Sequence, residues 1–512
     1  MTRETQIKRL RFIAVWVFAF GLVFHGYCYL NGNFSHDSLY SIYEESPELM
    51  ISVGRFLRPV YRLIRGNFTL PVINGFLSLV FLTLAAYFIL DILGIRSKGL
   101  TVLSCGILVG NTTVALTNAT FLHDADAYAL ALVLAVLGVW LSRGDKGRFW
   151  LSTLLYFCSL GIYQAYIDCA IYLILMLALL ALLDGAGVKK VYGQALRRLL
   201  AVAAAMVLYF LATKLVPAIT GIRANRGYNT VYSLSELDFK SLWERAVNFF
   251  RAEAVWFYSP EARLNRLIFA VNVVFVLLAA WLIIGKLRQD KRGKGVCWAA
   301  AGIVAAIPFG MNAITLLSNL YHALTIYSFF LSYLLVFALA ERCPRWKLPR
   351  KSSRLARGLC GILAAVLLFD SCIYAQEIYL EKEMVSDATL SLFTRLIDRM
   401  EQTPGYVVNE TPIAIVGRLR LSGLQTEREG MPSPANGMGY SYATTYFETY
   451  EKYVNYYLGY PAVFLRGPRL LELEETQTVQ QMPEFPAEGS VLMVEDVLVV
   501  KFSQPFHEAE IC

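Results

Sequence analysis

The sequence predicts an all-α polytopic membrane bundle of about eleven transmembrane helices at ~20 residues each, followed by a smaller C-terminal α/β domain. Three observations predict it. Of 512 residues, 56% are hydrophobic and 17% charged, and the mean hydropathy of +0.49 lies well above that of soluble domains. Apolar runs long enough to span a bilayer recur as far as residue 377. From 378 to 512 the composition changes to a mixed, Pro- and Gly-punctuated pattern.

The apolar runs fall at 12–30, 70–90, 99–117, 127–142, 149–167, 169–184, 199–219, 265–285, 296–317, 323–340 and 357–377. The first is too long and lacks the small-residue site of a cleaved signal peptide. The basic N-terminal stretch TRETQIKRLR places the N-terminus in the cytoplasm by the positive-inside rule. Alternation then puts 96–98, 142–148, 189–198, 286–295 and 341–357 on the same side. With the N-terminus these hold about 25 of the 47 lysines and arginines, and this asymmetry sets the orientation. It also accounts for the formal charge of +8 without nucleic acid. Nine cysteines show no CxxC or metal-ligand spacing and read as small core residues.

Residues 1–377 therefore form the membrane domain, with long outer loops at 31–69 and 220–263, and 378–512 form a soluble extracytoplasmic domain. The tail carries helix-like sequence at 381–402 and β-type runs at 411–416 and 491–500. It also holds a Tyr-rich stretch at 440–460, read as part domain core and part surface for glycan or membrane. About 135 residues suffice for one small core.

The first outer loop is the densest in chemistry. It contains His36-Asp37, Glu44-Glu45 and four arginines, Arg55, Arg58, Arg62 and Arg65. Apolar residues at helical spacing from Pro47 to Arg65 predict an amphipathic interfacial helix, and 237–257 predicts a second. Acids beside such a helix suit an anionic lipid-linked substrate, while lipid head groups would equally occupy Arg62 and Arg65. Asp37 can serve as a general base or merely cap a short helix. In His123-Asp124-Ala125-Asp126 the spaced carboxylates can chelate a cation, pair with arginines or cap the next span. Tyr163 and Gln164, in the polar break GIYQAYID, suit sugar rings that stack and hydrogen-bond, although an interfacial tyrosine belt would also place Tyr166 there. Arg55, Arg58, Arg223 and Arg226 put positive charge on the outer side, as a phosphate-bearing ligand requires. His36, His123 and His322 lack zinc spacing, so no metal site is expected. Walker, Rossmann and G-x-S-x-G elements are missing from the sequence, which disfavours nucleotide-driven work.

Taken together, HD at 36–37, GRFLRP at 54–59, LPVINGFLSL at 70–79, FLHDADAYALAL at 121–132 and LGIYQAY at 160–166 resemble the bacterial type II glucosyltransferase family. That family includes serotype-converting O-antigen glucosyltransferases. The ending MPEFPAEGSVLMVEDVLVVKFS at 482–503 is similar to the family's as well. The resemblance implies a GT-C type architecture, a polyprenyl-phosphate sugar donor and catalysis on the extracytoplasmic face of the bacterial plasma membrane. An acid in the first outer loop would be the base, here Asp37 with His36 beside it, and a second acidic position would fall on Asp124 or Asp126.

The expected reaction is thus an inverting, metal-independent transfer of a hexose, glucose by the resemblance, to a cell-surface glycan. Arg55, Arg58 and Arg223 would bind the donor phosphate, and Asp124, Asp126, Tyr163 and Gln164 the sugars. No cofactor is expected, a divalent cation at the D-x-D being the disfavoured alternative. Partners are the lipid-linked donor, the glycan acceptor and membrane lipid, with no nucleic acid. The rival readings are a lipid-linked glycan flippase and an outer-face glycan polymerase.

Overall fold

A computed structural model describes residues 2–32, 35–39, 47–66, 69–144, 148–223, 239–259, 262–290, 293–318, 323–417 and 447–504. The chain is mostly helical, with a small sheet near its C-terminus. Among the described residues, eight helices are long and apolar enough to cross a membrane. Each of the eleven predicted segments has a helical counterpart, but four are divided or short; that at 296–317 breaks at Asn312 into Lys294–Met311 and Ala313–Ser318. The segment predicted at 149–167 is helical only over Phe149–Ile162 before the break at Tyr163. That at 323–340 becomes a 3-10 turn, Tyr327–Phe330, leading into Leu331–Arg342.

The run from Lys98 to Leu141 is interrupted twice. Asn111 produces the first break: its amide donates to the Ile107 and Leu108 carbonyls, and its oxygen accepts from the Val114 N–H. One side chain thereby closes Lys98–Val109 and opens Thr112–Phe121. Gly110 must lack a side chain here, since a Cβ would lie 2.3 Å from the Phe24 ring. The second break is the 3-10 turn Leu122–Asp124, which begins Ala125–Leu141. That helix packs most extensively on Pro71–Leu93, the two forming the centre of one continuous apolar core.

The Arg350–Glu401 helix runs unbroken through residue 377 for 52 residues, about 78 Å at ~1.5 Å per residue. Its first part packs in the bundle; Leu392, Phe393, Leu396 and Met400 pack on the sheet. The sheet has the order β2-β1-β4-β3, with β1 (Pro412–Val416), β2 (Val463–Phe464), β3 (Val491–Val494) and β4 (Val497–Lys501). β1 lies parallel to β2 and β4, pairing Ile413 with Leu498 and Val416 with Lys501. The run predicted at 491–500 is a hairpin, because Glu495 adopts φ 56° and reverses the chain between β3 and β4. Period-2 alternation gives the sheet two apolar faces. Ile413, Ile415, Leu498 and Val500 face the long helix, and Ala414, Val416, Val497 and Val499 face Leu473, Val479 and Met482.

Candidate functional site

The stretch predicted as one amphipathic helix from Pro47 to Arg65 is two helices, Pro47–Ser52 and Arg58–Arg65. Gly54 turns the chain at φ 80°, and Pro59 starts the second helix. The second helix turns its arginines inward. Arg58 and Arg62 are buried, whereas Leu63 and Ile64 are 82% and 84% exposed. Its charged face turns inward because two buried carboxylates wait there.

Asp124, at the break before Ala125–Leu141, receives Arg58 at two points: Nε donates to Oδ1 at 2.6 Å, and Nη2 approaches Oδ2 at 2.5 Å. Arg62 Nη2 adds a bond to Oδ1 at 3.1 Å. Arg58 also donates to the Met50 sulfur, tying together the two halves of the loop. Two residues on, Asp126 meets Arg65 Nε at 3.0 Å, the Tyr61 hydroxyl at 2.8 Å and Asn74 Nδ2 at 3.2 Å. Arg65 and Asn74 also donate to the His123 carbonyl, at 2.7 and 3.2 Å. Arginines spaced three and four apart on one helix face thus match carboxylates spaced two apart at a helix start. Such sealed pairs hold together because each carboxylate accepts hydrogen bonds from its neighbours while the opposite charges lie in contact.

Arg55 stands beside this ladder, half-buried. Its Nη1 donates to the Tyr128 hydroxyl at 2.9 Å, and its guanidinium lies 5.0 Å from the Tyr163 ring centroid. Tyr128 and Tyr163 stack at 4.0 Å, and edge-on contacts continue from Tyr163 to Tyr166 and from Tyr166 to Tyr327. The loop reaches this turn because the Leu57 N–H donates to the Gly161 carbonyl at 2.9 Å, and Gly161 has no Cβ to strike the Leu57 side chain. Gln164 Nε2 donates to the Tyr209 hydroxyl at 2.7 Å and reaches the Val53 carbonyl at 3.4 Å.

Arg55, Arg58, Asp124, Asp126, Tyr163 and Gln164 are therefore brought to one end of the bundle. His36 and Asp37 lie on a one-turn helix, His36–Leu39, that packs on Thr112–Phe121 at the same end; their side chains lie outside the described residues, as do Glu44, Glu45, Arg226 and His322. Arg223 is exposed just past the Gly221 end of Val188–Thr220 and has no bond to the others among the described residues. Arg62 and Arg65 are engaged by Asp124 and Asp126 rather than spread over the surface. Tyr166 is buried against rings and is not a belt residue.

Sequence reasoning passed over Tyr61, Asn74 and Tyr128. Each had a signal: Tyr61 shares a face with Arg58 and Arg65, Asn74 is an amide in an apolar span, and Tyr128 follows Asp126 by two residues. Among the described residues no three His, Cys, Asp or Glu side chains converge as metal ligands.

A cavity of ≈ 560 Å³, open at the surface, is lined by Leu179, Trp256, Phe275, Ile283, Tyr333 and other apolar groups. Glu253 borders it, and burial pushes the carboxyl up to about 8. Trp256 stands edge-on to Phe329, in the 3-10 turn that begins at Tyr327.

Residues 26–339 match the family model described as "Glucosyl transferase GtrII". The matched region contains the whole arginine–carboxylate ladder and His36-Asp37, and ends before the long helix and the sheet. No curated protein and no solved structure matches the chain.

Proposed function

Because the chain belongs to the glucosyl transferase GtrII family, and is therefore a glycosyltransferase, we propose that it moves glucose from a polyprenyl-phosphate donor to a cell-surface glycan on the extracytoplasmic face of a bacterial plasma membrane. The carrying observation is Arg55, a half-buried cation fixed by Tyr128 and Tyr163 beside a sealed arginine–carboxylate ladder. A fixed guanidinium on an aromatic wall suits a sugar phosphate: the ring stacks while the cation takes the phosphate oxygens.

In this reading Asp37 removes the proton of the acceptor hydroxyl. The freed oxygen attacks the anomeric carbon and inverts it, and the bond to phosphate breaks with its electron pair leaving on the lipid phosphate. Arg55 stabilises that departing charge, and Arg58, held by Asp124, adds to the local field. Arg223 supplies a further cation at the rim. Tyr163 and Gln164 position the glucose, and Asp124 and Asp126 act through the arginines they hold. His36 neighbours the base and tunes it. The apolar cavity takes part of the isoprenoid chain. This reading uses no metal; the carboxylates of the D-x-D face arginines, Tyr61 and Asn74.

The test supplies purified enzyme in vesicles with polyprenyl-phosphate glucose or a nucleotide-linked glucose, and a cell-envelope glycan. Transfer from the lipid donor alone is expected. Transfer from the nucleotide sugar alone would overturn the donor assignment.

A further inference from the structure

The tail's core contains one residue from 350 positions earlier in the chain. Leu39, 1% exposed, belongs to the tail's apolar cluster with Leu392, Phe393, Tyr450, Tyr453 and Phe502, and its turn touches the Phe447–Lys452 helix. It ends the one-turn helix that bears His36 and Asp37.

Four residues cannot hold a helical turn by themselves, because nucleation costs more than one bond returns. This turn is held from three sides. Ser35 caps it: the Leu39 N–H donates to the Ser35 carbonyl at 3.1 Å and the Ser38 N–H to Ser35 Oγ at 3.2 Å. Ser35 Oγ in turn donates to the Thr120 carbonyl at 2.5 Å, on the last turn of Thr112–Phe121. The preceding carbonyl, Ala119, accepts from the buried Lys382 ammonium of the long helix. Two of the carbonyls at this helix end are thus satisfied by the outer loop and by the helix leading into the tail. The third side is Leu39 itself.

We propose that Leu39 is a positioning residue for the transfer reaction and that the C-terminal domain sets the place of the His36–Leu39 turn. Burial of Leu39 in the tail core fixes the turn's height and its rotation about its axis. The bundle holds it through Ser35 and through its packing on Thr112–Phe121. The inference rests on Asp37 acting as the base, and the test separates the two ideas.

Leu39→Ala is compared with Leu39→Met for kcat and for KM of polyprenyl-phosphate glucose, in wild-type and Asp37→Asn backgrounds. Leu39→Ala is expected to lower kcat on the order of 10- to 100-fold with donor KM nearly unchanged, and Leu39→Met to restore most of it. In the Asp37→Asn background the same change should cost nothing more, since both act through one group. Unchanged kcat in Leu39→Ala, or full additivity with Asp37→Asn, would overturn the proposal. Full activity of Asp37→Asn with a slowed Leu39→Ala would instead remove Asp37 while keeping the tail's control of the turn. Hydrogen exchange on the unmodified protein gives a second reading: as urea rises, amides 38–39 should lose protection together with β1 and β4. Free exchange of that turn while the sheet stays protected would also overturn the proposal.

Discussion

Arg58 and Asp124 meet as a two-point ion pair, at 2.6 and 2.5 Å, with both side chains sealed from solvent. The pair ties the arginine helix of the first loop to the start of Ala125–Leu141. A buried pair is strongly destabilising when halved, by roughly 3–5 kcal/mol, because the remaining charge is stranded. Arg58→Ala and Asp124→Ala should each lower Tm in detergent by several degrees. The double change to Met and Leu should recover much of the loss, and thermal unfolding of all three variants checks this.

Arg55 is half-buried, and among the described residues the Tyr128 hydroxyl and the Tyr163 ring hold it. Losing one charge-assisted contact to a phosphate costs about 1.5–3 kcal/mol. Arg55→Ala should therefore lower kcat/KM for the donor by about 10- to 100-fold while Tm changes little. A large Tm loss with unaltered donor kinetics would assign Arg55 to the scaffold.

Glu253 borders the apolar cavity with its carboxyl raised to about 8 by burial. A carboxyl raised on folding loses stability as pH climbs from its unfolded value, near 4.3, to its folded one, because only the unfolded chain ionises freely there. Glu253→Gln does not titrate. Its Tm gain over wild type should grow between pH 5 and 8 and level off above, as pH-dependent melting would show.

The cavity reading predicts a chain-length effect. Ala279→Trp or Ala280→Trp would fill part of the ≈ 560 Å³. KM should rise for long polyprenyl donors and stay near wild type for a short-chain isoprenyl-phosphate glucose, measured side by side. An equal rise for both would detach the cavity from the lipid.

Much of this was legible in the residues. Apolar length marked the helices, and the tail's Val-rich runs became strands, since both signals are local periodicities. The residues gathered at the site were also visible as polar exceptions in an apolar chain, Asp124, Asp126, Tyr163 and Gln164 among them. What the sequence hid was pairing. An Arg-rich amphipathic helix reads alike whether it lies on lipid or turns its charges inward, and only the position of Asp124 and Asp126 opposite it decides. Asn111 splitting a span, and Leu39 crossing into the tail core, are likewise contacts between distant segments that no local pattern records.

The central claim is that Asp37 deprotonates the acceptor while the arginine loop holds a lipid-linked glucose. The most direct test is single-turnover transfer of labelled glucose from polyprenyl phosphate by wild-type and Asp37→Asn enzyme at saturating donor. The account predicts a loss of about 10²- to 10⁴-fold in the chemical step with donor binding retained. A variant that transfers at the wild-type rate would contradict it.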